Sequence, residues 1–207
     1  MKRIIIAYNP VSGRGRASQL ATAIASCFVR HPNDVELVPT KQEDPKDWLI
    51  PKLKTKPDAV VVVGGDGTLR QVASVLVGTN IPIYHAASGT ENLFAKSMNM
   101  SSEPEEIALA IELGMTQSID TATANKQFML LMGSVGFDAD IIARLAASRG
   151  SSIRHMSYLV PTIKSLLSFQ PPIISIEVDG EKVVDHIQGW AIVANSRAYA
   201  RGLNPAK

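Results

Sequence analysis

Five consecutive aliphatic residues, Ala59-Val60-Val61-Val62-Val63, run directly into Gly64-Gly65-Asp66-Gly67-Thr68. No other stretch limits the fold so tightly. A short run of branched apolar residues stopped by glycine reads as a strand buried on both faces. Leu69, Val72, Ala73, Val75 and Leu76 then recur at helical spacing, so a helix begins next to the glycines. The predicted unit is a strand, a tight glycine turn and a helix N-terminus. Glycine carries no Cβ, so main chain can approach a ligand closely. The first helical turn adds N–H donors without helical partners and a partial positive charge. Such a turn is a phosphate cradle, here with an acid inside it. Asp66 would repel a phosphate unless it holds a metal, a ribose hydroxyl or a reacting proton. Thr68 is placed to cap the helix or to bond a phosphate itself. Standing alone, the same turn could simply connect a strand to a helix.

Two more loops of this kind lie in the same half of the chain. Asn9-Pro10-Val11-Ser12-Gly13-Arg14-Gly15 follows a predicted strand at 3–8. Ser12, Gly13 and Gly15 offer hydroxyl and main-chain donors, and Arg14 and Arg16 add positive charge. The loop is not a Walker A motif, because no Gly-Lys-Ser/Thr ends it, and it lacks the third glycine of a dinucleotide fingerprint. Ala87-Ser88-Gly89-Thr90-Glu91-Asn92 follows a predicted strand at 81–85. Ser88, Gly89 and Thr90 suit phosphate or ribose contacts, and Asn92 can read a base edge; alternatively this loop only caps a helix. All three loops follow strands of one sheet. In parallel α/β sheets, ligands bind outside the carboxyl ends of the strands, so the three should meet on one edge.

The first 115 or so residues alternate strand and helix, with strands at 3–8, 35–39, 59–63 and 81–85 and helices at 17–29, 45–53, 68–77, 92–96 and 104–113. That pattern predicts an α/β fold, a mostly parallel sheet covered on both faces. Pro104 suits a first helical turn, with Ser101 or Ser102 as its cap. From about residue 116 the character changes. Strands are expected at 128–132, at 173–178 and within 183–194, with Asp179-Gly180 as a hairpin turn. A helical stretch at 153–169, broken by Pro161, separates them. The domain division read here is 1–120 and 121–207. The second part resembles an unfinished antiparallel domain, so the chain reads as truncated at its C-terminus, or as borrowing strands from a partner.

At 207 residues, 45% hydrophobic and 19% charged, the chain can bury a core. A net charge of +2 without a basic run argues against a nucleic-acid partner. Cys27, the only cysteine, fits a reducing compartment and reads as a buried small residue. No signal peptide and no stretch of the ~18–20 apolar residues needed to span a bilayer is seen, so a cytoplasmic location is expected, either soluble or touching the inner face of a membrane from one side. The four histidines, 31, 85, 155 and 186, show no ligand spacing and read as structural or solvated. Asp138 and Asp140 could hold a metal but read better as acids at a helix N-terminus, so no metal ligand is assigned. Trp48 and Trp190 read as packing residues.

Taken together, 9–15, 64–68 and 89–95 (Gly-Thr-Glu-Asn-Leu-Phe-Ala) resemble the motifs of the diacylglycerol kinase catalytic-domain family, which includes bacterial lipid kinases and sphingosine and ceramide kinases. Weaker features are Gly136-Phe137-Asp138-Ala139 and Ala194-Asn195 before Tyr199. The Gly-Asp-Gly-Thr loop is shared with NAD kinases and phosphofructokinases. The resemblance implies a nucleotide-binding domain of that type followed by a partial β-sandwich, and transfer of the γ-phosphoryl group of Mg·ATP to a hydroxyl of diacylglycerol or a related lipid. It implies that Gly64, Gly65, Asp66, Gly67 and Thr68 hold the phosphates and that Asn9, Ser12 and Gly13 complete the cradle. Gly89, Thr90 and Asn92 would contact the nucleotide, and Thr40 would reach it from the end of the second strand, unless it caps the next helix. Asp66 is the expected catalytic residue; ATP and Mg2+ are the expected cofactors.

The sequence also departs from the family pattern. Glu91 stands where many relatives have glycine, Leu93 where they have Asp, and Gln71 where they often have Glu. The late glycine run is reduced to Ala200-Arg201-Gly202. The family's Asp-Gly-x-Leu segment and general base would lie beyond Lys207. Two other readings stay open, an NAD kinase-like enzyme and a catalytically inactive nucleotide- or lipid-binding fragment. Oligomeric state is not legible, and a homodimer is one arrangement that fits.

Overall fold

The computed structural model describes residues 1–29, 33–137, 139–140, 143 and 170–195. The described residues form two compact units, divided between Leu131 and Met132.

In the first unit, four strands lie in one fully parallel sheet: β1 (Arg3–Tyr8), β2 (Asp34–Pro39), β3 (Ala59–Gly64) and β4 (Ile83–Ala87), in the order β2-β1-β3-β4. Every residue of β3 is buried, as its unbroken aliphatic run requires of a central strand. Three helices connect them, α1 (Arg16–Val29), α2 (Pro45–Leu53) and α3 (Asp66–Leu76), and α4 (Leu93–Ser97) and α5 (Pro104–Leu113) follow β4. Strand alternation splits the core in two. Ile4, Ile6, Val61 and Val63 face α1 and α5, through Ala17, Ile24, Phe28 and Ile107. Ile5, Ala7, Val60 and Val62 face α2 and α3, through Leu49, Leu69, Val72 and Leu76. The helices that follow β1 and β3 therefore leave toward opposite faces. Because β1 and β3 are also neighbours, their outgoing loops part at a topological switch point, where open α/β sheets bind ligands.

The described helices start and stop for local reasons. Asp44 caps α2 by accepting the Lys46 N–H at 2.9 Å, so Thr40 is not that helix's cap. α5 has Pro104 at its first position, as expected, but its N-cap is Glu103 and neither serine caps it. Ser101 accepts the Glu103 N–H at 3.0 Å, and Ser102 donates to the Ala87 carbonyl at 3.1 Å. β4 begins two residues later than its apolar pattern implied. Pro82 has no N–H to give the ladder; its carbonyl accepts from Val60 at 2.9 Å.

Beyond residue 120 the strands are short and antiparallel: β5 (Ala122–Ala124) with β6 (Gln127–Met129) in the first unit, and β7 (Met132–Val135), β8 (Ile173–Val178), β9 (Glu181–Gln188) and β10 (Ala191–Ala194) in the second, where β7 pairs with β10 and β8 with β9. The expected strand at 128–132 is thus two strands in different sheets, and the one within 183–194 is also two. The β5–β6 turn is Asn125-Lys126, with φ of 48° and 65°; Asp179-Gly180 forms the expected β8–β9 turn, with φ of 51° and 88°. Two successive positive φ values suit the twist of a two-residue hairpin. Trp190 does not pack as expected: it is 53% exposed, whereas Trp48 is buried in the α2–α3 core. Cys27 is half-buried against the α1 core. The expected helix at 153–169, residues 31, 138 and 155, and the segment from 196 onward lie outside the described residues. Among those described, no helix is long and apolar enough to cross a membrane.

Candidate functional site: three loops at the switch point

The loops after β1, β3 and β4 meet at the carboxyl edge of the sheet, where they bond directly to one another. In the first loop, Asn9 donates its main-chain N–H to the Val63 carbonyl at 2.9 Å and its side-chain amide to Thr68 Oγ1 at 3.3 Å. Asn9 Oδ1 accepts the Val11 N–H at 3.1 Å, which shapes the turn leading into Ser12–Gly15, where Gly13 and Arg14 are left-handed, with φ of 59° and 60°. Ser12 Oγ donates to the Ser88 carbonyl at 3.3 Å and accepts from Ser88 Oγ at 3.1 Å. Arg16 Nε donates to the Gly13 carbonyl at 3.0 Å, so this arginine braces the loop from the start of α1.

Three glycines are required by this packing. A Cβ on Gly13, which also has φ of 59°, would lie 2.8 Å from the Ser88 carbonyl oxygen; one on Gly64 would lie 2.6 Å from Thr68 Cβ; one on Gly89 would lie 2.6 Å from the Gly65 Cα. Gly67 differs. A Cβ there would meet nothing within 4 Å among the described residues, so their packing gives no reason for glycine at this position.

Helix α3 starts earlier than the sequence implied, with Gly65 as its N-cap and Asp66 as its first residue. Thr68 therefore lies inside the first turn and is not the cap. It is buried, with its methyl and hydroxyl against Gly64 and its Oγ1 accepting from Asn9. The Asp66 carboxylate accepts two main-chain donors from another loop, the Leu93 N–H at 2.9 Å and the Phe94 N–H at 3.1 Å. An anion at the start of α4 satisfies two of that helix's unpartnered donors. Asp66 is thus the clasp between the second and third loops. Asn92, in the left-handed region at φ of 53°, holds Gly89 from both sides: its Oδ1 accepts the Gly89 N–H and its Nδ2 donates to the Gly89 carbonyl, each at 3.0 Å. Thr90 is exposed at the tip of this loop.

Of the expected residues, the structure brings together Asn9, Ser12, Gly13, Gly64, Gly65, Asp66, Thr68, Gly89 and Asn92 through these contacts. Gly67 lies within the same turn, and Thr90 within the third loop. Thr40 stands apart. It directly follows β2, where its N–H donates to the Tyr8 carbonyl at 2.8 Å, one strand outward from the crevice. From the sequence His85 read only as structural or solvated, like the other histidines. This residue is fully buried on β4, with Nε2 3.0 Å from the Gly64 carbonyl oxygen. A polar residue inside a short apolar strand was the signal that could have found it.

One other cluster invites comparison with a nucleophilic site. On the exposed β8–β9 hairpin, Ser175 Oγ lies 3.1 Å from Asp185 Oδ1 and 3.5 Å from His186 Nδ1, and that same nitrogen faces Asp185 at 2.9 Å. A relay needs acid and nucleophile on opposite ring nitrogens, so this group only stitches an irregular hairpin.

The family model for the diacylglycerol kinase catalytic domain matches residues 3–124, more than half of the chain. This chain belongs to the diacylglycerol kinase catalytic-domain family. It is 29% identical over 202 residues to a diacylglycerol kinase of Mycobacterium tuberculosis (strain ATCC 25618 / H37Rv), an alignment that takes in 94% of this chain and 65% of that protein. It is 31% identical over 142 residues to a probable lipid kinase of Escherichia coli O1:K1 / APEC, covering 65% of this chain and 45% of that one. A crystal structure of a putative diacylglycerol kinase from Bacillus anthracis str. Sterne shares the fold, with a TM-score of 0.70 at 24% identity over 98% of this chain and 69% of that chain. The chain thus spans just under two thirds, or less, of the length of such curated relatives. The matched region holds all three loops.

Proposed function

We propose that this chain carries the nucleotide site of a lipid kinase, which transfers the γ-phosphoryl group of Mg·ATP to a hydroxyl of diacylglycerol or a related lipid. The observation that carries this reading is Gly67. Its neighbours Gly64 and Gly89 are glycine because the protein occupies the space of a Cβ. At Gly67 that space is open, at the N-terminus of a helix of 11 residues, which is where main-chain donors and the helix dipole favour a phosphate.

In the reaction, the lipid hydroxyl oxygen bonds to the γ-phosphorus, the bond to the bridging oxygen breaks, and ADP and a proton leave. Little of this is covalent work for the protein, so positioning and charge neutralisation dominate. Asn9, Ser12, Gly13 and Gly64–Thr68 would cradle the phosphates. Gly89, Thr90 and Asn92 would meet the nucleotide from the third loop, with Thr40 reaching in from β2. Magnesium would neutralise phosphate charge, and it commonly takes only one or two carboxylates beside phosphate and water oxygens. Asp66 supports that usage: it stands in the cradle with a lone pair left on each carboxylate oxygen after its two bonds. Asp66 is accordingly the proposed essential acid. The family and the relatives' names support the lipid acceptor. A cytoplasmic protein touching the membrane from one side agrees with that acceptor.

The test is transfer of label from γ-labelled Mg·ATP to diacylglycerol, sphingosine, ceramide and NAD, offered separately. Label in a lipid supports the reading. Mg·ATP binding by the same chain is read by calorimetry alongside, and label in NAD, or no binding of Mg·ATP, overturns it.

A further inference from the structure

We propose that His85 is a positioning residue of the nucleotide site, which fixes the peptide between Gly64 and Gly65 and couples the Gly64–Thr68 loop to α4. The proposal rests on the nucleotide reading above and deepens it.

The geometry is specific. His85 stands opposite Val62 in the β3–β4 register, fully buried. Its Nε2 is 3.0 Å from the Gly64 carbonyl oxygen. A carbonyl only accepts, so Nε2 carries the proton and Nδ1 holds a lone pair. That Nδ1 is buried and has no hydrogen-bond partner among the described residues. An aliphatic side chain would fill this strand position without leaving a buried acceptor unmatched. What histidine gains is the single bond to Gly64.

That bond acts where direction matters. The Gly64 carbonyl also accepts the Ser88 N–H at 2.9 Å, so both of its lone pairs are taken, one from the side chain of β4 and one from the third loop. A trans peptide is planar, and its carbonyl and N–H point in opposite directions. Two donors on the Gly64 oxygen, both from β4 and the loop after it, therefore turn the Gly65 N–H away from β4. The imidazole ring also meets Phe94, with ring centroids 6.1 Å apart and planes at 50°. Phe94 is the residue whose N–H Asp66 accepts at 3.1 Å. Gly64, His85, Phe94 and Asp66 close a ring of contacts around the turn. Burial also holds the imidazole below its ordinary pKa, against the opposing pull of the Gly64 bond and of Asp66, so the single proton needed on Nε2 is the stable state.

The test compares wild type with His85→Leu, which removes the donor, and His85→Gln, whose side-chain amide can reach the Nε2 position. Amide hydrogen exchange is read without nucleotide at residues 65–69 and 93–96, and Mg·ATP affinity is read separately. The expectation is that His85→Leu speeds exchange in both segments at least tenfold and weakens Mg·ATP by a similar factor, while His85→Gln recovers most of each. Unchanged exchange in His85→Leu, or a glutamine variant no better than leucine, overturns the proposal; uniform loss of thermal stability with both segments unchanged is the signature of mere packing and overturns it too. If His85→Leu does not fold, His85→Asn, whose amide falls short of Nε2, takes its place against His85→Gln. Failure of the wild type to bind Mg·ATP overturns the nucleotide reading, whereas the exchange comparison decides the role of His85 by itself.

Discussion

The Asp66 carboxylate accepts the main-chain N–H of Phe94 at 3.1 Å, across 28 positions of sequence. With the Leu93 bond at 2.9 Å, one acid holds the N-terminus of α4 against the N-terminus of α3. An acid in a phosphate cradle therefore already has a structural task before any ligand arrives.

Asp66→Asn should consequently lose stability as well as activity. An asparagine offers one oxygen to two donors and turns an NH2 toward the other. Hydrogen bonds to a charged group contribute about 1.5–3 kcal/mol each, so a loss of roughly 2 kcal/mol is expected, seen as a Tm lower by about 4–8 °C. Differential scanning calorimetry checks it. An unchanged Tm would mean that the clasp contributes nothing and that loss of activity in this variant reports chemistry alone.

Gly67→Ala and Gly89→Ala should part company. Alanine at 67 meets open space within a helix and improves helix propensity by up to about 1 kcal/mol. It should fold at least as well as wild type yet bind Mg·ATP at least tenfold more weakly. Gly89→Ala puts a methyl 2.6 Å from the Gly65 Cα and should destabilise the fold by about 1–3 kcal/mol. Thermal unfolding beside nucleotide titration separates the two, and a Gly67→Ala variant with full affinity would remove the main support for phosphate at this turn.

His85 gives the protein a pH-dependent stability of known sign. Its folded-state pKa is lowered from 6.5, chiefly by burial. The unfolded chain takes up the proton first, so stability is complete above about pH 6.5 and is lost as pH falls below it. Glutamine has no such proton. Between about pH 7.5 and pH 5.5, on either side of the ordinary imidazole pKa, wild type should lose more Tm than His85→Gln. Equal losses would show that the imidazole titrates as freely folded as unfolded.

Asn9→Ala should loosen the first loop from the second. It removes the bond to Thr68 Oγ1 and the one that shapes the turn at Val11. At ~0.5–1.5 kcal/mol for each neutral bond, a cost of about 1–2 kcal/mol is expected, readable as a lower urea midpoint, together with weaker Mg·ATP binding. Retention of both would separate Asn9 from the site.

The strand-turn-helix unit at 59–76 was legible because an aliphatic run, glycines and a helical period change over within a few residues. The meeting of three loops was legible because parallel strands put their outgoing loops on one edge. The partners of Asp66 were not, since main-chain N–H groups leave no mark in a sequence. The turn at Asn125-Lys126 escaped notice because it takes two positive φ values without a glycine. Trp190 was read as a packing residue from its type alone, yet its neighbours leave it half in solvent. His85 was legible only as a histidine; its bond to Gly64 depends on the β3–β4 register, which residue types do not fix.

The most direct measurement is amide hydrogen exchange of the wild-type chain with and without saturating Mg·ATP. The account predicts slower exchange confined to residues 9–15, 64–68 and 88–94. Protection elsewhere, with these three segments unaffected, or no protection at saturation, would contradict it.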